Sequence, residues 1–302
     1  MAVSMYQIKR WYLMLTGRSV YHVNQDIGKY FSKSEICGYY NNLTEKVTMQ
    51  PELLGTERLP EVCTATETVL FPVAIFQYGL GAYDLYLSTQ DNRYEQKFMQ
   101  CAKWALNEQD KQGRWNNFFF YSPHEPYGAM AQGEGSSLLI RAYKHTSDQK
   151  YLNAAVSALK YMLMPLEQGG TTKYDAEECY LMEYTFKGMV LNGAIFAWWG
   201  LYDYVTLTGD RGEMYEMMQK TLHSIMYVLP QFKSHIWSLY SLDGLIASPF
   251  YHNLHIAQMQ AMYQLTGEPI FDKYAKLWTK RQNNIINKSF AFIYKSIQKI
   301  LE

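Results

Sequence analysis

One short motif occurs four times along this chain and constrains its fold more than any other feature. Thr89-Gln90-Asp91, Thr146-Ser147-Asp148, Thr208-Gly209-Asp210 and Thr266-Gly267-Glu268 follow one another at intervals of 57, 62 and 58 residues. Amphipathic stretches flank each copy, with apolar residues at the three- and four-residue spacing of a helix. The motif therefore predicts a turn between two helices, its acidic residue capping the second at a positive helix terminus. A period of this size means an array whose neighbouring units bury one another's faces. The first helix of each pair is rich in Gly, Ala and aromatics, whereas the second carries the Lys, Glu and Gln. Such asymmetry predicts an inner and an outer layer. The fold class expected is all-α, an incomplete α/α toroid of at least four helix pairs; an open solenoid is the competitor.

The repeat also orders the rest of the chain. Residues 1–68 do not join it and read as an irregular N-terminal segment packed on a toroid of residues 69–302, with NQDIGKYF and GYYNNLTEKV extended or irregular. Turns within a pair are short, while the connections between pairs, about 111–127, 167–186 and 230–252, are long. If the pairs pack in parallel, all three emerge at one end of the ring. They carry Trp115, Tyr121, His124, Glu125 and Tyr127, then Tyr174, Glu183 and Tyr184, then His235, Trp237, Tyr240, Tyr251 and His252. His255 follows His252 by one helical turn on the same face. Long loops in a compact domain are usually functional.

Composition narrows the function. Only 19% of the 302 residues are charged, against about 25% on average, and the formal net charge is zero. Nucleic acid is not an expected partner, because neutralising phosphates requires a basic surface. A polyanion would have to be met by a local patch. Aromatic residues reach 16%, with 27 Tyr, and a tyrosine offers both an apolar face and a hydroxyl. That suits sugar rings and wet helix ends equally. Four scattered cysteines, Cys37, Cys63, Cys101 and Cys179, lack CxxC spacing and predict neither a disulfide framework nor a zinc site. The apolar run WYLML after Lys9 and Arg10 is too short for a leader or a membrane span, so a cytoplasmic protein without a span is expected.

Common site signatures are missing. Gly133-Glu134-Gly135 opens a helix without a preceding strand, which argues against a nucleotide site. No G-x-S-x-G elbow occurs. His252 and His255 have no carboxylate or thiol at a useful helical spacing, so no metal is expected. Trp198 and Trp199 read as core. Glu183 reads equally as a charge at a helix N-terminus and as a catalytic group.

Six stretches, in order, resemble the D-glucuronyl C5-epimerase family, which acts on heparosan and related glucuronans. They are FPVAIFQYGLGAYDLY (71–86), NEQDKQGRW (107–115), PYGAMAQGEGSSLLIRAY (126–143), EYTFKGMVLNGAIFAWWGLYDY (183–204), WSLYSLD (237–243) and YHNLHIAQMQ (251–260). The similarity runs from about residue 60 to residue 282. It implies an active site in the helical domain, where tyrosines and a neighbouring Glu move the C5 proton from one face of a uronic acid to the other. Carried over by position, the catalytic residues are Glu183, Tyr184, Tyr240 and Tyr251. The substrate-contact candidates are Arg114, Trp115, Tyr127, Gln132, Lys187, Asn192, Trp237, His252 and His255.

Two departures stand out. The β-sandwich that vertebrate-type enzymes carry after the QYGL helix is replaced by the STQDN turn. Asp243 stands where the family has an Arg.

The chemistry implied is demanding. Removing a proton α to a carboxylate creates an enediolate-like dianion, which needs a base, an acid on the opposite face and cationic or hydrogen-bonding support. A tyrosine of pKa ~10 is a poor base near neutrality unless a cation lowers it. Lys187, His252, His255 and Arg114 are the candidates for that field. The expected activity is C5 inversion of D-glucuronyl to L-iduronyl residues within an acidic polysaccharide or oligosaccharide, without a cofactor, and a homodimer is compatible with it. The alternatives are a uronate lyase or unsaturated glucuronyl hydrolase on the same fold, or an inactive glycan-binding protein.

Overall fold

The structure, a computed structural model, describes residues 9, 12, 13, 19, 22–64 and 67–301, with side chains as far as residue 298. The segment from Lys9 to Leu15, read above against a leader or anchor, lies mostly outside the described residues. No described helix is long and apolar enough to cross a membrane.

Four antiparallel pairs form the body: α1 (Pro72–Thr89) with α2 (Asn92–Glu108), α3 (Ala129–Thr146) with α4 (Gln149–Leu163), α5 (Leu191–Thr208) with α6 (Glu213–Val228), and α7 (Pro249–Thr266) with α8 (Pro269–Gln282). A further helix, α9, spans Ile285–Leu301. The odd-numbered helices pack in sequence, α1 on α3, α3 on α5, α5 on α7, and each carries its partner on the outside. This is the incomplete α/α toroid that the repeat predicts.

Burial follows the two-layer pattern. Leu191–Leu201 of α5 is buried without interruption, and so is Ala129–Ala142 of α3. Outer α2 buries one face, through Lys97, Phe98, Cys101, Ala102 and Ala105. Helices α3 and α5 meet backbone to backbone. A Cβ at Gly133 would lie 2.4 Å from Ala197 Cα, and one at Gly200 would lie 2.7 Å from Gly133 Cα. No larger residue fits at that crossing.

The four turns share one hydrogen-bond scheme. Thr89, Thr146, Thr208 and Thr266 each donate Oγ1–H to the carbonyl four residues back, at 2.7–2.8 Å. Each Oγ1 also accepts the N–H of the acidic residue two positions on, at 3.2–3.3 Å. The intervening Gln90, Ser147, Gly209 and Gly267 are left-handed, which closes the first helix. Capping by the acidic side chain is less uniform than expected. Asp91 and Asp148 do cap, accepting from Arg93 and Lys150. In the third turn the N-cap is Gly212, and Glu268 caps without a side-chain bond.

The N-terminal segment enters the core more deeply than its irregular sequence suggests. Ile36, Tyr39, Tyr40, Leu43, Val47 and Leu53 belong to the main apolar cluster. Thr44–Thr48, in a stretch expected to be extended or irregular, forms a short helix packed on α1, with Asn42 Oδ1 accepting from the Thr44 N–H. Arg141 on α3 donates to the Cys37 and Gly38 carbonyls and pairs with Asp203 on α5 at 2.6 Å. Asp84 on α1 accepts the Tyr39 N–H, and Tyr40 Oη–H donates to Asp203. Three inner helices thus hold one strap of chain.

Candidate active site

The three long connections run over residues 109–128, 164–190 and 229–248. The second contains a hairpin, β3 (Thr172–Asp175) with β4 (Glu178–Leu181); β1 (Val62–Cys63) and β2 (Thr68–Val69) form another near the N-terminus. The connections come together at the N-terminal ends of the inner helices. Ala129 N–H donates to the Met182 carbonyl, Leu191 N–H to the Tyr240 carbonyl and Leu242 N–H to the Met189 carbonyl. The shared mouth expected from the repeat is present.

Helix α7 begins earlier than expected. Ser248 caps it and Pro249 opens it, so Tyr251 and His252 lie in its first turn rather than in a loop. Proline at the first helical position loses no hydrogen bond and favours a start there.

Glu183, Tyr184, Tyr240 and Tyr251 form one cluster at this mouth. Glu183 is buried, and its Oε2 would lie 2.2 Å from a Cβ at Gly193, so only glycine leaves room for the carboxylate there. Burial pushes the Glu183 carboxyl up to about 7, while the Tyr184 and Tyr240 hydroxyls and Lys187 act against that rise. The Tyr240 and Tyr251 rings lie 4.8 Å apart. Tyr184 stacks on Phe118 at 4.7 Å. Burial, and next the Glu183 charge, hold Tyr184 and Tyr240 well above the usual phenol range. Both are phenols at neutral pH, and Glu183 is the group poised to ionise.

Lys187 supplies the local positive charge. Its Nζ donates to Tyr121 Oη at 2.6 Å and sits 4.9 Å from both the Tyr121 and Tyr184 ring centres, within cation–π range. Asp243, in place of the family Arg, accepts the Gly188 N–H at 2.8 Å. It ties the second connection to the third. Lys295 of α9 lies 5.8 Å from the Tyr240 ring. It falls beyond the span of family resemblance, so the sequence reading passed over it.

Several substrate-contact candidates are held by partners within the chain. Trp115 is buried and donates Nε1–H to the Ala105 carbonyl. Arg114 pairs with Asp110 at 2.7 Å and covers the Tyr127 ring at 4.3 Å, an assembly with its own internal partners. Trp237 and His252 are buried and stack at 3.7 Å. The Ser238 hydroxyl lies 2.7 Å from His252 Nδ1 and 2.9 Å from His255 Nδ1. Burial drives both histidines down to about 3, so neither carries charge near neutrality. His124, Glu125 and His235 are exposed, and Tyr174 lies on β3 with its hydroxyl on the Leu163 carbonyl.

Gln132 and Asn192 are buried too, but their surroundings differ. Gln132 Oε1 and Nε2, Glu134 Oε2, Glu183 Oε2, Asn192 Oδ1 and Gln258 Oε1 have no hydrogen-bond partner among the described residues. Gln258 Nε2–H donates to the Asn192 carbonyl, and Gln77 Nε2–H to Glu134 Oε1. Burial lifts Glu134 to about 8; Gln77 and Lys46 oppose the rise, and Glu183 adds to it. A buried polar atom left unpaired costs about 1–3 kcal/mol, so these atoms call for hydroxyl groups or water as partners. Glu134, Gln77 and Gln258 were missed. The available signal was a polar residue in an otherwise apolar inner helix.

Residues 109–280 match the family described as D-glucuronyl C5-epimerase C-terminus. The chain belongs to that family. A D-glucuronyl C5-epimerase of Caenorhabditis elegans is 26% identical over 220 residues, which cover 64% of this chain and 36% of that protein. An uncharacterized protein of Methanocaldococcus jannaschii is 34% identical over 157 residues, covering 50% of this chain and 51% of the other. The chain therefore spans about half the length of one relative and about a third of the other. Among solved structures, a family 76 glycoside hydrolase from a bovine Bacteroides thetaiotaomicron strain aligns over 78% of this chain and 54% of its own, with 11% identity and a TM-score of 0.44.

Proposed function

We propose that this chain inverts C5 of D-glucuronyl residues within an acidic polysaccharide, giving L-iduronyl residues. The carrying observation is the buried Glu183 beside Tyr184 and Tyr240, with Tyr251 against Tyr240 and Lys187 over Tyr184. Family membership adds weight to the same reading.

A carboxylate near pH 7 and phenols that stay protonated divide the work between base and acid. Ionised Glu183 accepts the C5 proton, directly or through the Tyr240 hydroxyl. Lys187 and the surrounding hydroxyls stabilise the charge that builds on the substrate carboxylate. Tyr251, across the cluster, protonates the opposite face of C5 and is left as a phenolate. Protonated Glu183 then returns a proton to Tyr251 through the contacting tyrosines, which restores the starting state with no net gain or loss. The orphaned amides of Gln132, Asn192 and Gln258 are of the kind that hydrogen-bond sugar hydroxyls.

Proton NMR of a heparosan-type polymer in deuterium oxide tests this. Deuterium at C5 with iduronyl signals supports the epimerase. A vinyl signal would make the protein a lyase. Line broadening alone would make it a binder.

A further inference from the structure

Helix α9 is mounted the wrong way round for a helix that only completes a core. Its polar edge faces the protein: Gln298 Oε1 accepts the Ile246 N–H at 3.0 Å, and Gln298 Nε2–H donates to the Gly244 carbonyl at 3.2 Å. Ala291 is the buried contact, sitting with Trp237, Ile246 and Ala247. Its large apolar residues point outward. Ile286, Phe290, Ile293 and Ile297 are 63%, 60%, 55% and 48% exposed, and their 4-3-4 spacing makes a single stripe. Ile285, Phe292 and Tyr294 widen it.

The charge pattern selects the partner. Lys288, Lys295 and Lys299 are the only charged residues between 285 and 301. A two-fold pairing of α9 with itself would set the three lysines of each copy against a single glutamate, Glu302. An apolar face combined with a predominantly cationic charge is the pattern of a helix lying in the headgroup region of an anionic bilayer. No described helix can span a membrane, so attachment would be peripheral.

We propose that α9 is a membrane-surface anchor for anionic lipid, and that it holds the site's mouth beside the bilayer. The link to the mouth is direct, because α9 grips the 229–248 connection through Gln298 and brings Lys295 to Tyr240. Polysaccharide presented at a membrane would then meet the site without free diffusion.

Co-sedimentation of the full chain with phosphatidylcholine vesicles, with and without phosphatidylglycerol, tests the anchor. The expected result is binding to the anionic vesicles alone, weakening as salt is raised. Replacing Ile286, Phe290, Ile293 and Ile297 together by Ser should cut binding at least about tenfold, since the stripe would no longer offer an apolar face to the bilayer. Thermal unfolding should be little changed, because those side chains are exposed. Lys288→Glu provides a second variant, expected to weaken binding at low salt only. Absence of vesicle binding overturns the proposal. So does a wild-type dimer in light scattering that the fourfold Ser variant converts to monomer, because the stripe would then be a contact between copies.

Discussion

The ring interior holds two buried charged clusters, built in opposite ways. In the first, Arg141 and Asp203 pair at 2.6 Å with no exposure on either side chain. Their remaining capacity goes to the Cys37, Gly38 and Ser137 carbonyls and to the Tyr40 hydroxyl. In the second, Glu183 and Glu134 share the interior with Gln132, Asn192 and Gln258, and each of the five keeps at least one unpaired atom. The first pair is saturated and fixes the strap, whereas the second group keeps unpaired hydrogen-bonding capacity. The same division separates the two ends of the inner helices. At the exposed turns four threonines repeat one satisfied scheme; at the mouth no two connections are alike. Local consistency marks scaffold, and its controlled failure marks function.

Mutations can break this contrast. The largest effect is expected from Asp203→Ala, which strands the Arg141 guanidinium in the core. Loss of one partner of a buried pair costs about 3–5 kcal/mol, so urea unfolding should show a large fall in midpoint. An Asp203→Ala protein of wild-type stability would show that the pair does not anchor the strap.

Lys187→Met should leave stability almost unchanged, because Lys187 is exposed. It should lower C5 exchange by about 10²–10³-fold, as expected for one lost charge-stabilising group. Near-normal turnover in this variant would shift the role to Lys295.

Glu183→Gln should separate activity from stability. The Glu183 carboxyl is raised from 4.5 to about 7 in the fold, so the folded state binds its proton more tightly than the unfolded state does. Its contribution is therefore fully present below about pH 4.5 and is lost as pH rises through about 7. Gln lacks that decline. The variant should match wild type at low pH and exceed it above pH 7, by up to about 3 kcal/mol at 1.36 kcal/mol per pKa unit. Equal stability at pH 8 would mean that the carboxylate is not strained in the fold.

The smallest effect is sought in the scaffold. Ser147 holds a left-handed φ of 60° where Gly209 and Gly267 serve the third and fourth turns. Ser147→Gly should stabilise by roughly 0.5–1 kcal/mol. Asn at the same position should do so less.

Much of this arrangement was readable before the structure, and the rest was hidden for physical reasons. The Thr-x-Asp/Glu turns revealed the pairs because a helix must end with its carbonyls satisfied, which leaves a local sequence mark. Glu183, Tyr184, Tyr240 and Tyr251 were readable from motif stretches and from the long connections. His252 and His255 misled because helical spacing shows which residues share a face, not whether that face looks to solvent or to Trp278 and Trp237. Pro249 did mark the start of α7, and following it would have kept Tyr251 and His252 out of the loop. Arg141, Asp203 and Glu134 were passed over, although each is a charge within an apolar inner helix. Whether each would be saturated or orphaned depends on residues 57–163 positions away, and no local pattern carries that.

The central claim is that Glu183 sets the ionisation on which proton transfer at C5 depends. Its most direct test is the pH profile of deuterium incorporation at C5 of a heparosan-type polymer, for wild type and Glu183→Gln. The account predicts wild-type exchange that falls about tenfold per unit below pH 7, levels off above it, and is lost at every pH in Glu183→Gln. A wild-type profile that stays flat from pH 5 to 8, or exchange that persists in Glu183→Gln, would contradict it.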